Sequence, residues 1–381
     1  MSGRMLVAFA ALVFWLMPAV APAATGDLFP LQLGGYYDYD GSDGAGHTWK
    51  HRAKVVAQNI TLNGQTYFHL RQANLDPYRG ENSGKIEDVL IRSSDTIVYK
   101  SMGGPEWPEF QIGAIGTTWD TPWEQGKITG ARSITGPYGT FDPSYENTFT
   151  SDIIPEWYTY LYPGLGLIKS VEMWVESPRV HATLELTAIG SEPVSLFPLK
   201  SGMCLIFNAS DAKTNKWQMR LQILEQVRFG NQTYFHGHQI KYDPIGGDLQ
   251  RDFYLRSTDK EVYVFDGVNE HIEFQAAGPG TSWNFPQQGG TLYKQITAIT
   301  PINVLGGSYL AYVHDSHYEE EPDFVSPHFI DYMVPGLGPA KMMDWWTEDP
   351  TRAPLTFTLT QITQGGAGPA VNMLLLLDSN Q

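Results

Sequence analysis

The segment Trp49-Lys50-His51-Arg52-Ala53-Lys54-Val55 puts Trp49, His51, Ala53 and Val55 on one side and Lys50, Arg52 and Lys54 on the other. Trp217-Gln218-Met219-Arg220-Leu221-Gln222-Ile223 repeats the pattern, with Trp217, Met219, Leu221 and Ile223 against Gln218, Arg220 and Gln222. A period of two over seven residues describes a strand with one wet face; on a helix both sets would scatter around the circumference. Residues 183–189 and 355–362 also alternate, with Leu184, Leu186 and Ala188 opposed to Thr183, Glu185 and Thr187. Short β-rich runs separated by Gly, Pro, Asn and Asp fill the rest, and Asn63-Gly64 and Phe229-Gly230-Asn231 read as hairpin turns. No long stretch has a 3.6-residue period, and 38 glycines and 25 prolines oppose helix. The expected class is all-β with little helix, in antiparallel meanders that form a curved sheet, an open barrel or a clam.

The chain also resembles itself. Leu28-Phe29-Pro30-Leu31 recurs as Leu196-Phe197-Pro198-Leu199, 196 − 28 = 168 positions on, and the same offset aligns Gly34 with Gly202 and Ser42-Asp43 with Ser210-Asp211. In the same order, Gln65-Thr66-Tyr67-Phe68-His69 recurs as Gln232-Thr233-Tyr234-Phe235-His236. Leu90-Ile91-Arg92-Ser93-Ser94-Asp95 recurs as Tyr254-Leu255-Arg256-Ser257-Thr258-Asp259, and Gly116-Thr117-Thr118-Trp119 as Gly280-Thr281-Ser282-Trp283. Asp142, Tyr145 and Glu146 are matched by letter with Asp315, Tyr318 and Glu319, and Pro163-Gly164-Leu165-Gly166 with Pro335-Gly336-Leu337-Gly338. The expected organisation is a signal peptide over 1–23, one β domain over 24–192, a tandem homologous β domain over 193–364, and a flexible tail over 365–381. The break falls at Gly190 to Val194, a linker short enough to make the domains close neighbours.

Composition sets further bounds. With 381 residues the chain is long enough for two domains. Charged residues make up 17% and aromatic residues 13%, a balance of folded, strand-rich protein. A formal charge of −16 repels nucleic acid and anionic lipid. Arg4, the apolar run 5–17 and the small residues Ala21-Pro22-Ala23 before Ala24 read as a signal peptide. Its removal takes Arg4 away and leaves 24 − 41 = −17. The apolar run is too short for a membrane span, and no cysteine stands at the cleavage point to carry a lipid. Export to the periplasm or the exterior is expected, with no membrane span in the mature chain. Cys204 is the sole cysteine, so no internal disulfide exists; within Met203-Cys204-Leu205-Ile206-Phe207 it reads as a small buried hydrophobe. Leu374 to Leu377 in the tail is too short to span a bilayer.

The Phe-Pro-Leu opening, the following glycine and the late aromatic segment running into Pro-Gly-Leu-Gly resemble a β-domain common in bacterial exported proteins and lipoproteins. The stretches that carry the likeness are Phe29-Pro30-Leu31 with residues 158–169, and Phe197-Pro198-Leu199 with residues 332–341. The second stretch departs from the pattern, with Pro339-Ala340 in place of a Leu-Ile pair. The resemblance implies export and a β-fold, and implies no activity.

The sequence offers four kinds of candidate site. Asp38-Tyr39-Asp40-Gly41-Ser42-Asp43-Gly44 offers oxygen ligands for calcium, but the spacing is not that of an EF-hand and a hairpin turn explains Asp43 and Asp211 equally well. His236-Gly237-His238, and His314, Asp315, His317 and Glu319 near Glu320, Glu321 and Asp323, offer transition-metal ligands; a hydrogen-bonded structural role is preferred, above all for His69 and His236. Asp142 or Glu146 and their matches could serve acid–base hydrolysis of a glycan. No Gly-x-Ser-x-Gly elbow and no His-Glu-x-x-His is present. Aromatic residues are the fourth signal: Trp157, Tyr158, Tyr160 and Tyr162 put rings on both faces of one strand, and one face could line a groove. The ligand-binding expectation therefore names Trp157, Tyr158, Tyr160, Tyr145, Glu146, Tyr318, Glu319 and Tyr332, with no catalytic residue, metal or cofactor. The leading reading is an exported, non-enzymatic binding or carrier protein of the bacterial envelope, for an apolar or sugar ligand or another envelope component. The alternatives are a glycan-active hydrolase and a structural surface or assembly protein.

Overall fold

A computed structural model describes residues 27–74, 86–150, 156–173, 181–287, 290–318, 328–345 and 350–364. The expected signal peptide and tail lie outside them, as do Glu319, Glu320, Glu321 and Asp323. The first strands are β1 (Gly35–Asp43), β2 (Thr48–Leu62), β3 (Gln65–Asn74), β4 (Ile86–Ser93), β5 (Ile97–Ser101) and β6 (Trp107–Gln111). They are followed by β7 (Thr118–Asp120), β8 (Gln125–Gly136), β9 (Gly139–Thr150), β10 (Glu156–Tyr162), β11 (Gly166–Met173) and β12 (His181–Ser191). Next come β13 (Met203–Ser210), β14 (Lys216–Phe229), β15 (Gln232–Tyr242), β16 (Leu249–Ser257), β17 (Glu261–Phe265) and β18 (Glu270–Gln275). The last are β19 (Ser282–Gln287), β20 (Gly290–Val304), β21 (Gly307–Tyr318), β22 (His328–Val334), β23 (Gly338–Asp344) and β24 (Leu355–Gln364). One 3-10 turn, Pro350–Arg352, is the helical element among the described residues.

The pairing order is the same in two successive runs. Neighbouring strands pair antiparallel from β1 back through β6, and from β12 back through β7, and β1 pairs β12. The second run reproduces this: β13 leads to β18, β24 leads back to β19, and β13 pairs β24. Among the described residues β6 has no ladder to β7, nor β18 to β19. Each twelve-strand meander is therefore an open, curved sheet with one seam and no barrel closure.

The recurring motifs meet where each sheet curls. Gly166 has φ +85°, and a Cβ there would lie 1.8 Å from the Phe29 ring; Gly338 stands in the same relation to Phe197, at 2.4 Å. Phe29 N–H donates to Ser93 Oγ and Phe197 N–H to Ser257 Oγ, both at 2.9 Å. The Phe-Pro-Leu segment is thus a plug seated between the Pro-Gly-Leu-Gly turn and the Arg-Ser strand end, and only glycine leaves room for the ring. Arg92 grips Glu106 and lies 3.6 Å over Tyr99, as Arg256 grips Glu270 and lies 3.6 Å over Tyr263.

The meanders pack together. Ala57, Ile60, Tyr67, Ala73, Ile86 and Leu90 of the first belong to the core of the second. At the centre of the joint the Asp88 carboxylate accepts from Arg71 Nε and Nη2 (2.8 Å each) and from the Leu310 backbone N–H (3.1 Å), with His69 Nε2 at 2.9 Å. Burial opposes its ionisation, but Arg71 and His69 outweigh that and hold the carboxyl far below its ordinary range. Ser308 makes a parallel bridge to Glu87 across the same joint.

Two expectations are corrected. Cys204 is half-buried, not buried, because it lies on the outer side of β13 opposite Gln222 and Thr363. The letter match of Asp142, Tyr145 and Glu146 with Asp315, Tyr318 and Glu319 is out of register. Counted from the Pro-Gly-Leu-Gly turns, Leu161 pairs Tyr145 and its counterpart Met333 pairs Tyr312. The true offset is 312 − 145 = 167 rather than 315 − 142 = 173, which sets Glu146 against Val313.

Candidate functional site

Along β20, Leu292 and Ile296 are buried and Lys294 stands between them on the same face, 3% exposed. A cation in an apolar stripe needs a partner. Lys294 Nζ donates to Glu273 on β18, at 2.7 Å to Oε1 and 3.0 Å to the backbone carbonyl, so the pair spans the seam. Burial would raise the Glu273 carboxyl, but Lys294 and His271 outweigh it and hold it at about 2. His271 in turn stacks on Phe285 at 4.0 Å.

On β21 the residues Tyr312, His314, Ser316 and Tyr318 share this face, and on β22 so do Phe329, Asp331 and Met333. His314 is directly opposite Asp331, and Ser316 joins Lys294 to Phe329. Burial drives His314 down to about 4, so the ring is neutral at pH 7, and its Nε2 lies 2.8 Å from the Gln275 carbonyl of β18. Burial, reinforced by Glu273 and Asp344 and opposed by Lys294, pushes the Asp331 carboxyl up to about 7. His314 Nδ1 and Ser316 Oγ are buried without a hydrogen-bond partner. Trp283 and Phe274 flank the His314 ring at 5.7 and 5.4 Å.

The first meander builds the same kind of place from other residues. Asn147 stands where His314 stands, and its amide clips the end of β6: Nδ2 donates to the Gln111 carbonyl at 2.7 Å and Oδ1 accepts the Gln111 N–H at 3.0 Å. The lysine comes from β5, Lys100 Nζ reaching Glu109 Oε1 at 3.3 Å, and Trp107 Nε1 donates to Glu109 Oε2 at 2.9 Å. Burial, with Glu109 and Glu172, pushes Glu124 up to about 7 against Lys100. Trp157 donates to Ser170 Oγ at 2.6 Å and packs on Phe149 at 4.8 Å; Trp107 and the exposed Trp123 meet edge to face at 5.3 Å. Thr159 Oγ1, at the register of Asp331, is buried without a partner. Each seam thus carries a lysine–glutamate pair, a carboxyl titrating near neutrality, an orphaned buried polar atom and aromatic walls.

The structure divides the sequence-derived residues. Trp157 lines the first seam, Tyr145 packs beside it, and Tyr318 stands at the rim of the second, its OH on Gln287 Oε1 at 2.5 Å. Tyr158, Tyr160, Glu146 and Tyr332 lie on the opposite faces. Glu146 is engaged there by Arg132 and by Thr129 Oγ1 (2.8 Å), Tyr160 is its cross-strand neighbour, and Lys341 lies 5.1 Å over Tyr332. Glu319 is outside the described residues. Lys294, Glu273, Asp331, Lys100, Glu109, Glu124 and Asn147 escaped the sequence reading, and His314 was singled out there only as a possible metal ligand. The available signal was a polar residue at a buried parity position, as in Leu292-x-Lys294-x-Ile296.

The other candidate ligand sets are tied up within the protein. Asp38 pairs with Arg52 and Asp40 with Lys50, while Asp43 caps its turn by accepting from the Ala45 and His47 N–H groups. His236 and His238 both contact Asp252 Oδ1, at 3.0 and 2.8 Å. His314 and His317 face opposite ways, and Asp315 pairs with His328 at 2.7 Å. Among the described residues no group of three such side chains has metal-holding geometry, and no helix is long and apolar enough to cross a membrane.

No family model and no curated protein matches the chain. Two solved structures are similar in part. One is a protein assigned as exported, with a YmcC-like fold, from Bacteroides fragilis NCTC 9343 (10% identity, TM-score 0.33). The other is a protein assigned as a lipoprotein from Parabacteroides distasonis ATCC 8503 (12% identity, TM-score 0.29). In each case 45% of this chain and the whole of the other are covered.

Proposed function

We propose that the protein is an exported, non-catalytic binding protein of the bacterial envelope, built of two homologous β domains whose seams each take a saccharide. The observation that carries this reading is the second seam. Asp331 is half-buried and makes no hydrogen bond, and His314 Nδ1 and Ser316 Oγ beside it are buried without a partner, so three unsatisfied polar groups stand together on one face. A sugar hydroxyl both donates and accepts, so one ring can serve Asp331, His314 and Ser316 together, while its C–H face suits Trp283 and Phe329. An apolar cargo would leave those groups unsatisfied, and an anion would meet the carboxyl of Asp331. The recurrence of the arrangement in both meanders favours binding, since a duplicated enzyme needs only one working centre. The residues 1–23 and the Phe-Pro-Leu and Pro-Gly-Leu-Gly motifs support export.

The test is saturation-transfer NMR with a panel of neutral and amino sugars and their oligomers. Transfer to a saccharide, lost in a Lys294→Met/Asp331→Asn chain that remains folded, is expected; no transfer to any member refutes the reading. One observation favours a second reading, glycan hydrolysis. Glu273 is held at about 2 and Asp331 is pushed up to about 7, the division between ionised and protonated carboxyl that acid–base chemistry uses. Release of new reducing ends, abolished by Asp331→Asn, would establish it. Asp142 and Glu146 do not serve that chemistry, because Asp142 is exposed and Glu146 is engaged on the far face.

A further inference from the structure

The joint between the meanders uses two surfaces, and the chain carries each of them twice. One is the outer side of β2, β3 and β4, with Tyr67, His69, Arg71 and Asp88. The other is the tip of the β20–β21 hairpin with the loop 276–279: Tyr309 lies 4.9 Å under the Arg71 guanidinium, and Leu310 donates its N–H to Asp88. Gly278 sits so close to Thr61 that a Cβ would fall 2.2 Å from its carbonyl oxygen.

The second example of the first surface is the outer side of β14, β15 and β16. Tyr234, His236, His238 and Asp252 stand at the registers of Tyr67, His69, Arg71 and Asp88, and both imidazoles hold the carboxylate as His69 and Arg71 hold Asp88. Asp88 is 3% exposed, whereas the Asp252 side chain is 59% exposed. The second example of the hairpin tip is β8–β9 with the loop 112–115. Phe141, opposite Ile134, stands at the register of Tyr309, opposite Ile302; the ladder skips Asp142-Pro143 where Leu310 pairs Pro301, and residues 113–116 are exposed where Ala276 and Gly278 are buried. Large apolar side chains stand in water on both: Leu224 in the bulge of β14, Ile115 at the place of Pro279, and Tyr138 in the β8–β9 turn where Gly306 occupies the β20–β21 turn.

We propose that these second examples meet between molecules: the β14–β16 face of one chain receives the β8–β9 tip of the next, head to tail, repeating the joint that each chain makes internally. Phe141 of one chain lies against His238 of the next as Tyr309 lies against Arg71. Such a heterologous contact does not satisfy itself in a dimer, so it propagates into short filaments or closes into a ring. It is weaker than the internal joint, because a histidine replaces the bidentate guanidinium of Arg71 and Gln250 replaces Ile86 at the edge of the patch.

Sedimentation velocity of the full chain from low to high micromolar concentration tests this. A mass rising through dimer and trimer is expected. Tyr138→Asp and Asp252→Arg, each remaining folded by circular dichroism, should each sediment as monomer, since each spoils one end. Mixed together they should give a dimer that grows no further, because only one pair of intact ends remains. A wild-type chain that is monomeric throughout overturns the proposal. So does an assembly that both variants retain, or one that the mixture fails to restore.

Discussion

Asp331→Asn should make the protein more stable in alkaline solution and leave it unchanged in acid. The unfolded aspartate titrates near 4, and in the fold the carboxyl is raised to about 7 by burial, Glu273 and Asp344. The native state therefore holds this proton more tightly than the unfolded state. The native advantage is intact below the unfolded value and is lost as pH climbs from about 4 to about 7. A displacement of that size corresponds to about 4 kcal/mol when the group is fully ionised. The carboxyl is partly reached by solvent, so a gain of about 2–4 kcal/mol is expected for asparagine, which carries no charge to bury. Guanidinium unfolding followed by tryptophan fluorescence at pH 4, 5.5, 7 and 8.5 measures it. The wild type should weaken relative to the variant between the first and third points, then run parallel. A difference that is constant across the series, or that grows toward acid, would refute the assignment of Asp331 as a half-buried acid without a hydrogen-bond partner.

Glu124→Gln should show the same pH dependence through the first meander, because Glu124 is likewise pushed up to about 7; a Glu124→Gln/Asp331→Asn chain should gain roughly the sum of the two in the same titration. Arg71→Met leaves Asp88 with a weakened set of partners at the joint and should cost about 3–5 kcal/mol in denaturant unfolding, while Arg71→Met/Asp88→Leu should recover much of it. Gly166→Ala forces a Cβ into the Phe29 ring at φ +85° and should cost about 2–4 kcal/mol, read as a lowered unfolding midpoint. Asn147→Leu removes both hydrogen bonds to Gln111 and should cost about 2–3 kcal/mol, whereas His314→Asn, which imports the first meander's own solution, should be nearly neutral.

The strand class was legible in local pattern because sheet burial alternates: Trp49, Ala53 and Val55 are buried as their parity requires, and so are Trp217, Met219, Leu221 and Ile223. The two motifs were equally visible as letters, but their purpose was not. That Phe29 fills the space above Gly166 depends on a contact across 137 positions, 166 − 29, which no window of sequence contains. The seam was hidden for a related reason. Lys294 and Glu273 lie on strands that are not hydrogen-bonded to one another, so their meeting depends on how strongly the sheet curves, and alternation alone says nothing about curvature. The letter match of Tyr145 with Tyr318 illustrates the hazard. A slip of six residues preserves the face of a strand and moves the side chain several residues along it, so Tyr318 reached the correct side of the sheet at the wrong position.

Native mass spectrometry of the protein isolated from its native source, followed by denaturing extraction of whatever it holds, bears most directly on the claim that the seams are saccharide sites. The account predicts an added mass that fragments as a saccharide, at up to two per chain, and that falls when Lys294 and Asp331 are replaced. A bound lipid, or a saccharide retained in full by the Lys294→Met/Asp331→Asn chain, would contradict it.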